Sequence, residues 1–116
     1  MNFDKNLLGG ATVLMLLNLL NEKDYYGYEI IRELAARSNN TFQFQEGSLY
    51  PVLHKMESKG YVKCYRKVAE TGKERKYYSI TASGVRQLEA EKQQWAEFSA
   101  SVNQVLGGGA YGIALS

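Results

Sequence analysis

A mainly α fold of the α+β class follows from three features of the sequence. Three stretches in the first half carry apolar residues at helical spacing, two Tyr- and Val-rich stretches then flank a glycine-bearing turn, and one helical stretch far longer than the rest follows. The predicted order is therefore helix, helix, helix, hairpin, long helix. At 116 residues the chain is one domain by size, with material for a modest core. An apolar fraction of 45% beside 22% charged residues is ordinary for a soluble globular protein and does not suggest disorder.

Residues 6 to 20 read as the first helix, with apolar side chains in nearly every direction: Leu7, Leu8, Ala11, Val13, Leu14, Met15, Leu16, Leu17, Leu19 and Leu20. Such a helix has to be covered on more than one side, and so short a chain has little left to cover the second side. A dimer is the first expectation from this. The run is too short to span a bilayer, holds Asn18 and a Gly pair, and lacks a basic leader and a cleavage signal, so no membrane or targeting segment is expected. The lone Cys64 excludes an internal disulfide and a Cys-based zinc site, and a cytoplasmic location fits.

Asn21 to Asp24 form a polar turn, and Asp24 is placed to cap a second helix running to about Arg37, with Ile30, Ile31, Leu34 and Ala35 as its inward stripe. Gly27 near its start permits close approach of another element or of a phosphate oxygen. The third helix lies in Glu46 to Gly60, where Leu49, Val52, Leu53 and Met56 fall at i, i+3, i+4 and i+7. Ser48 is read as its N-cap with Pro51 in the first turn, and Gly60 as a left-handed C-cap. Its other face carries Gly47, Ser48, Tyr50, His54, Lys55 and Lys59, small, polar or positive groups that look out at a polar partner.

Two helices of about three turns joined by a short polar connection, the second with a basic outward face, form the helix-turn-helix pattern. Tyr61 to Val68 and Arg75 to Ile80 flank the turn Ala69 to Lys73, giving a two-stranded wing. Net charge is only +2, yet the segment from Lys55 to Lys76 sums to +5 and the remainder to −3, the footprint of a phosphate-binding face. Thr81 then caps a final helix to about Leu106, on the order of 40 Å long at about 1.5 Å per residue. Val85, Leu88, Trp95, Phe98, Val102, Val105 and Leu106 recur on one side, a stripe that needs a partner. The expected fold is a winged helix-turn-helix with a two-stranded wing and a long C-terminal dimerisation helix. Residues 1–80 would form the DNA-binding domain, 81–106 the dimerisation helix and 107–116 a flexible tail.

Read together, Gly27-Tyr28-Glu29-Ile30, Gly47 through Leu53 with Met56-Glu57 and Gly60, and Arg75 through Thr81 leading to Gly84 make the chain resemble the PadR family of transcriptional regulators over residues 6–106. The single helix after the wing is similar to the family's short subfamily. That resemblance implies a homodimer, with first and last helices packed on the partner and each winged domain in a major groove of an inverted-repeat operator. It also implies, for some members, a planar aromatic drug held between tryptophans of the final helices. Trp95 occupies the matching position, and Phe98 and Met15 are the neighbours expected around such a ligand; the other reading of Trp95 is packing in the dimer seam.

For double-stranded DNA, Gln45, Ser48 and Tyr50 are the base-edge or phosphate candidates, with Lys55, Lys59, Lys73, Arg75 and Lys76 as sequence-independent phosphate contacts. His54 is open between a DNA role, plain exposure and edge packing. Leu8, Leu88, Trp95, Phe98 and Val102 are the expected dimer interface. One His, one Cys and no phosphate-cradling Gly-rich loop argue against catalysis, a metal or a cofactor. A dimeric adaptor whose wing contacts protein is the alternative, and an outward helix face without large apolar anchors weighs against it.

Overall fold

The computed structural model describes residues 5–107, with side chains from Leu8 onward. The proposed tail from residue 108 on lies outside the described residues. The elements are α1 (Lys5–Glu22), β1 (Tyr25–Tyr26), α2 (Gly27–Arg37), α3 (Glu46–Ser58), β2 (Val62–Val68), β3 (Glu74–Ile80) and α4 (Ala82–Leu106). Helix α1 runs through the middle of the core: Leu16, Leu17, Leu19 and Leu20 pack with Ile30 and Leu34 of α2, Leu49, Leu53 and Met56 of α3, Val62, Tyr78 and Leu88. Among the described residues no helix is long and apolar enough to cross a membrane.

The sheet has three strands, not the two expected, in the antiparallel order β1-β3-β2. Tyr25 and Tyr26 pair with Tyr78 and Tyr77, and that pairing overturns Asp24 as a helix cap. Because the chain stays extended through Tyr26, α2 cannot begin before Gly27; Tyr26 is the N-cap, and its N–H donates to Glu29 Oε1 at 3.2 Å. Asp24 instead accepts from the Tyr65 hydroxyl.

Helix α3 also begins earlier than expected. Gln45 is its N-cap, so Ser48 sits at the third helical position, where its Oγ donates to the Gln45 carbonyl at 3.0 Å and accepts from the Gln45 N–H at 3.3 Å. Pro51 accordingly lies inside the helix on its exposed side, and the carbonyl it leaves without an N–H is that of exposed Gly47. The other end is as read. Gly60 has φ +80°, the Tyr61 N–H reaches the Met56 carbonyl at 2.9 Å and the Gly60 N–H reaches that of Glu57 at 2.9 Å, a Schellman closure.

Thr81 joins three elements. Its Oγ1 accepts from the Gly84 N–H at 3.0 Å as the cap of α4 and donates to the Gly60 carbonyl at 2.6 Å, while its N–H donates to Tyr61 O at 3.0 Å. A side chain at Gly84 would run into the carbonyl of Tyr61. With Gly84 and Leu88 both buried, the first two turns of α4 are part of the winged core, so a boundary at residue 80 divides one packed unit. Cys64 is half-buried, and burial first, with the Glu57 carboxylate second, pushes its thiol up to about 11. It packs against the edge of the core.

Candidate nucleic-acid interface

The buried line Leu49, Leu53, Met56 fixes how α3 is rotated. With about 100° between successive residues, Gly47, His54 and Ser58 point directly outward, Tyr50 falls on one flank and Ser48, Lys55 and Lys59 on the other. Contacts on each side agree. The Tyr50 ring lies over Gly27 so closely that a side chain there would strike it, and it is this ring, rather than a phosphate oxygen, that occupies the space left at Gly27. Lys55 and Lys59 border a crevice of about 390 Å³ whose other walls include Gly9 and Val13 of α1 and Gln87 and Glu91 of α4. The candidates on α3 thus occupy two edges of an exposed face.

Arg75 joins the wing to the Tyr50 edge. Its guanidinium stands 5.1 Å from the centre of the Tyr26 ring, and its Nε is buried without a hydrogen-bond partner, the one such side-chain atom identified among the described residues. The Tyr50 phenol is pushed up by burial and then by Glu46, with Arg75 pulling the other way. Tyr50 of α3 beside Gly27 and Arg75 of β3 over Tyr26 therefore both lie where α2 begins. Alternation along β3 sends Lys76 to the opposite face of the ribbon, 5.6 Å above the Tyr78 ring. Lys73 follows Gly72 (φ +90°) at the wing tip, where the Ala69 N–H donates to the Lys73 carbonyl at 2.8 Å.

The charges divide by whether they are paired. Arg37 is bound by both Glu22 and Glu33, which raises its guanidinium further and lowers the Glu22 carboxyl, chiefly through the hydrogen bond between them. Among the described residues, by contrast, none of Lys55, Lys59, Lys73 and Lys76 forms an ion pair; on the wing only Arg66 reaches a carboxylate, that of Glu74 at 3.9 Å. Exposed cations with no carboxylate partner suit a phosphate backbone. Gln45 is exposed at the helix start, and Ser48 would have to share its hydroxyl with the Gln45 backbone.

On α4 the expected interface residues separate. Leu88 is fully buried inside its own chain, against α1, and is a core residue, because the stripe begins before the helix leaves the domain. Beyond it Trp95, Phe98, Val102, Val105 and Leu106 are all exposed, Val105 to 86%. Leu8 is half-buried at the start of α1. Trp95 and Phe98 lie side by side, ring centres 6.4 Å apart. Met15 is not with them: it lines a separate crevice of about 250 Å³ with Leu19, Leu34 and Phe42 between α1 and α2. Within one chain the three proposed ligand neighbours do not form one site.

Sequence reasoning missed Tyr26, Tyr65, Tyr77 and Asp24 as a group. Alternation of Tyr65 with Lys67 and of Arg75 with Tyr77 could have put Tyr65 and Tyr77 on one face of a hairpin, whereas no single stretch places Tyr26 and Asp24 beside them.

Three packed helices, an antiparallel wing and unpaired cations on both the third helix and the wing define a winged helix-turn-helix DNA-binding protein. The chain belongs to the PadR-like family of transcriptional regulators, whose model matches residues 16–90. Members of that family are non-enzymatic DNA-binding proteins and are generally dimeric. Among solved structures, a PadR-like transcriptional regulator from Bacillus cereus is 33% identical with a TM-score of 0.79, covering 90% of this chain and 100% of that one. A PadR family regulator from Clostridium difficile is 36% identical with a TM-score of 0.71, covering 84% and 99%. An uncharacterised protein of Lysinibacillus sphaericus is 39% identical over 92 residues, covering 79% of this chain and 84% of the relative.

Proposed function

We propose that this regulator is a ligand-responsive repressor that binds an inverted-repeat operator as a homodimer. The observation that carries the reading is the pairing of two unpartnered surfaces: cations without carboxylates on α3 and the wing, and an apolar stripe without cover on the outer half of α4. Two copies joined along Trp95, Phe98, Val102 and Val105 would hold two α3 helices at a fixed distance, as half-sites about one helical turn apart require. Within each domain Tyr50 and Gln45 are assigned to base edges or nearby phosphates, and Lys55, Lys59, Lys73, Arg75 and Lys76 to the backbone.

The effector reading is narrower. Trp95 and Phe98 offer adjacent exposed rings, and a planar aromatic compound wedged between two copies would change the angle between the winged domains. Met15 could join that site only from the partner chain. Quenching of Trp95 fluorescence by planar cationic and aromatic compounds tests this, with Trp95→Phe as the silent control. Saturable quenching that also weakens operator binding supports it; no quenching by a broad panel leaves Trp95 as seam packing.

A further inference from the structure

The outward face of the sheet carries a cluster of rings and charges that the core does not require. Alternation places Val62, Cys64, Tyr78 and Tyr25 on the core side, and Tyr65, Lys67, Arg75, Tyr77 and Tyr26 on the other. The register puts Tyr26, Tyr77 and Tyr65 in one row across all three strands. In that row the Tyr77 ring is stacked on Tyr65, centres 5.6 Å apart at 13°, and meets Tyr26 edge-on at 5.4 Å. The Tyr65 hydroxyl then donates a 2.5 Å hydrogen bond to Asp24 Oδ2, a residue 41 positions earlier and just ahead of β1. The bond crosses the full width of the sheet, from one edge strand, β2, to the chain entering the other edge strand, β1, spanning Tyr77 of the central strand β3.

Its position matters because β1 supports the wing no further out than Tyr77. Beyond that row Arg66, Lys67 and Val68 pair only with Lys76, Arg75 and Glu74, and a two-stranded ribbon is by itself marginal and free to twist. The cations of the wing lie on this unsupported part, with Lys67 4.6 Å from the Tyr77 ring and Arg75 over the Tyr26 ring. We propose that the Asp24–Tyr65 hydrogen bond is a latch that fixes the direction of the wing relative to α3, so that Asp24 and Tyr65 are positioning residues for the wing's phosphate contacts. The bond to Asp24 also pushes the Tyr65 phenol up to about 12, so the donor proton stays in place at neutral pH. A hydrogen bond to a charged acceptor is among the stronger kinds, and here it holds an exposed element rather than the core.

The latch rests on the DNA-binding reading only for its consequence, and the test separates the two. Tyr65→Phe and Asp24→Ala each remove the bond, while Asp24→Asn retains an acceptor. Three quantities are compared with wild type: amide hydrogen exchange across residues 66–76 in the free protein, thermal unfolding, and the salt dependence of binding to a fragment of the protein's own promoter. In the two latch-breaking variants Tm should move by less than about 5 °C, while wing exchange quickens by about tenfold or more. The slope of log K against log salt should become shallower by about 3 to 4, as Lys73 and Lys76 of both subunits lose their phosphates. Asp24→Asn should stay close to wild type in all three. Unchanged wing exchange in both Tyr65→Phe and Asp24→Ala would overturn the latch whatever happens with DNA. Faster exchange with an unchanged salt slope would overturn the positioning role. A wild-type protein with no affinity for the promoter would sink the DNA reading and the positioning role together, leaving exchange to decide the latch.

Discussion

The two exposed surfaces of this molecule are unfinished in opposite ways. On α3 and the wing Lys55, Lys59, Lys73 and Lys76 are cations without an ion-pair partner among the described residues, whereas on α4 beyond Leu88 Trp95, Phe98, Val102, Val105 and Leu106 are apolar and lack cover. Each defect specifies the chemistry of what completes it, an anionic polymer in one case and a second apolar stripe in the other. In the proposed function one surface would read DNA and the other would set the distance between two readers, which would account for so long a helix on so small a domain.

The largest expected effect comes from breaking the apolar surface. Phe98→Asp combined with Val102→Asp should give a folded monomer by light scattering and lower promoter affinity by about 100-fold or more, since two linked sites become independent. Retention of the dimer mass would move the interface elsewhere. Reversing charge on the cationic surface comes next: Lys55→Glu with Lys59→Glu should cost about tenfold to 100-fold in affinity at low salt, less at high salt, with dimer mass unchanged. A loss that salt does not diminish would mean these lysines act through structure. Gly84→Ala should lower Tm by about 5–10 °C, because the added carbon meets the Tyr61 carbonyl, while the folded fraction binds DNA normally.

The smallest effect is expected at a cation that is already paired. Arg37→Ala should leave promoter affinity within about twofold, since Glu22 and Glu33 occupy its guanidinium. Its consequence is for stability. The Glu22 carboxyl is lowered in the folded protein, so the pair contributes above the ordinary carboxylate range and is lost as pH falls through the lowered value. The Tm difference between wild type and Arg37→Ala should therefore shrink on acidification from neutral pH, and a difference that grew instead would contradict the pairing.

Much of this was legible in the residues, and the failures have physical causes. The spacing of Leu49, Leu53 and Met56, the positive φ required at Gly60 and Gly72, and the cap at Thr81 are local signals, and local geometry follows them. Strand β1 was not legible because two residues are too few to show alternation, and its absence misplaced Asp24 as a cap. Gln45 was passed over because a glutamine is a poor N-cap by preference, and Ser48 looked the better choice. Leu88 was assigned to the dimer because a stripe records only that it is covered, not whether α1 of the same chain or another subunit covers it. The row of Tyr26, Tyr77 and Tyr65 depends on register across three strands, which no single stretch of sequence contains.

The central claim is that the unpaired cations of α3 and the wing meet a phosphate backbone. Fluorescence anisotropy on a labelled fragment of the protein's own promoter, titrated from about 50 to 200 mM salt, addresses it directly. With four such lysines in each of two subunits, affinity should fall by about 10³-fold or more across that range. Affinity insensitive to salt, or no binding to any upstream fragment, would contradict the account and favour a protein partner for the same surface.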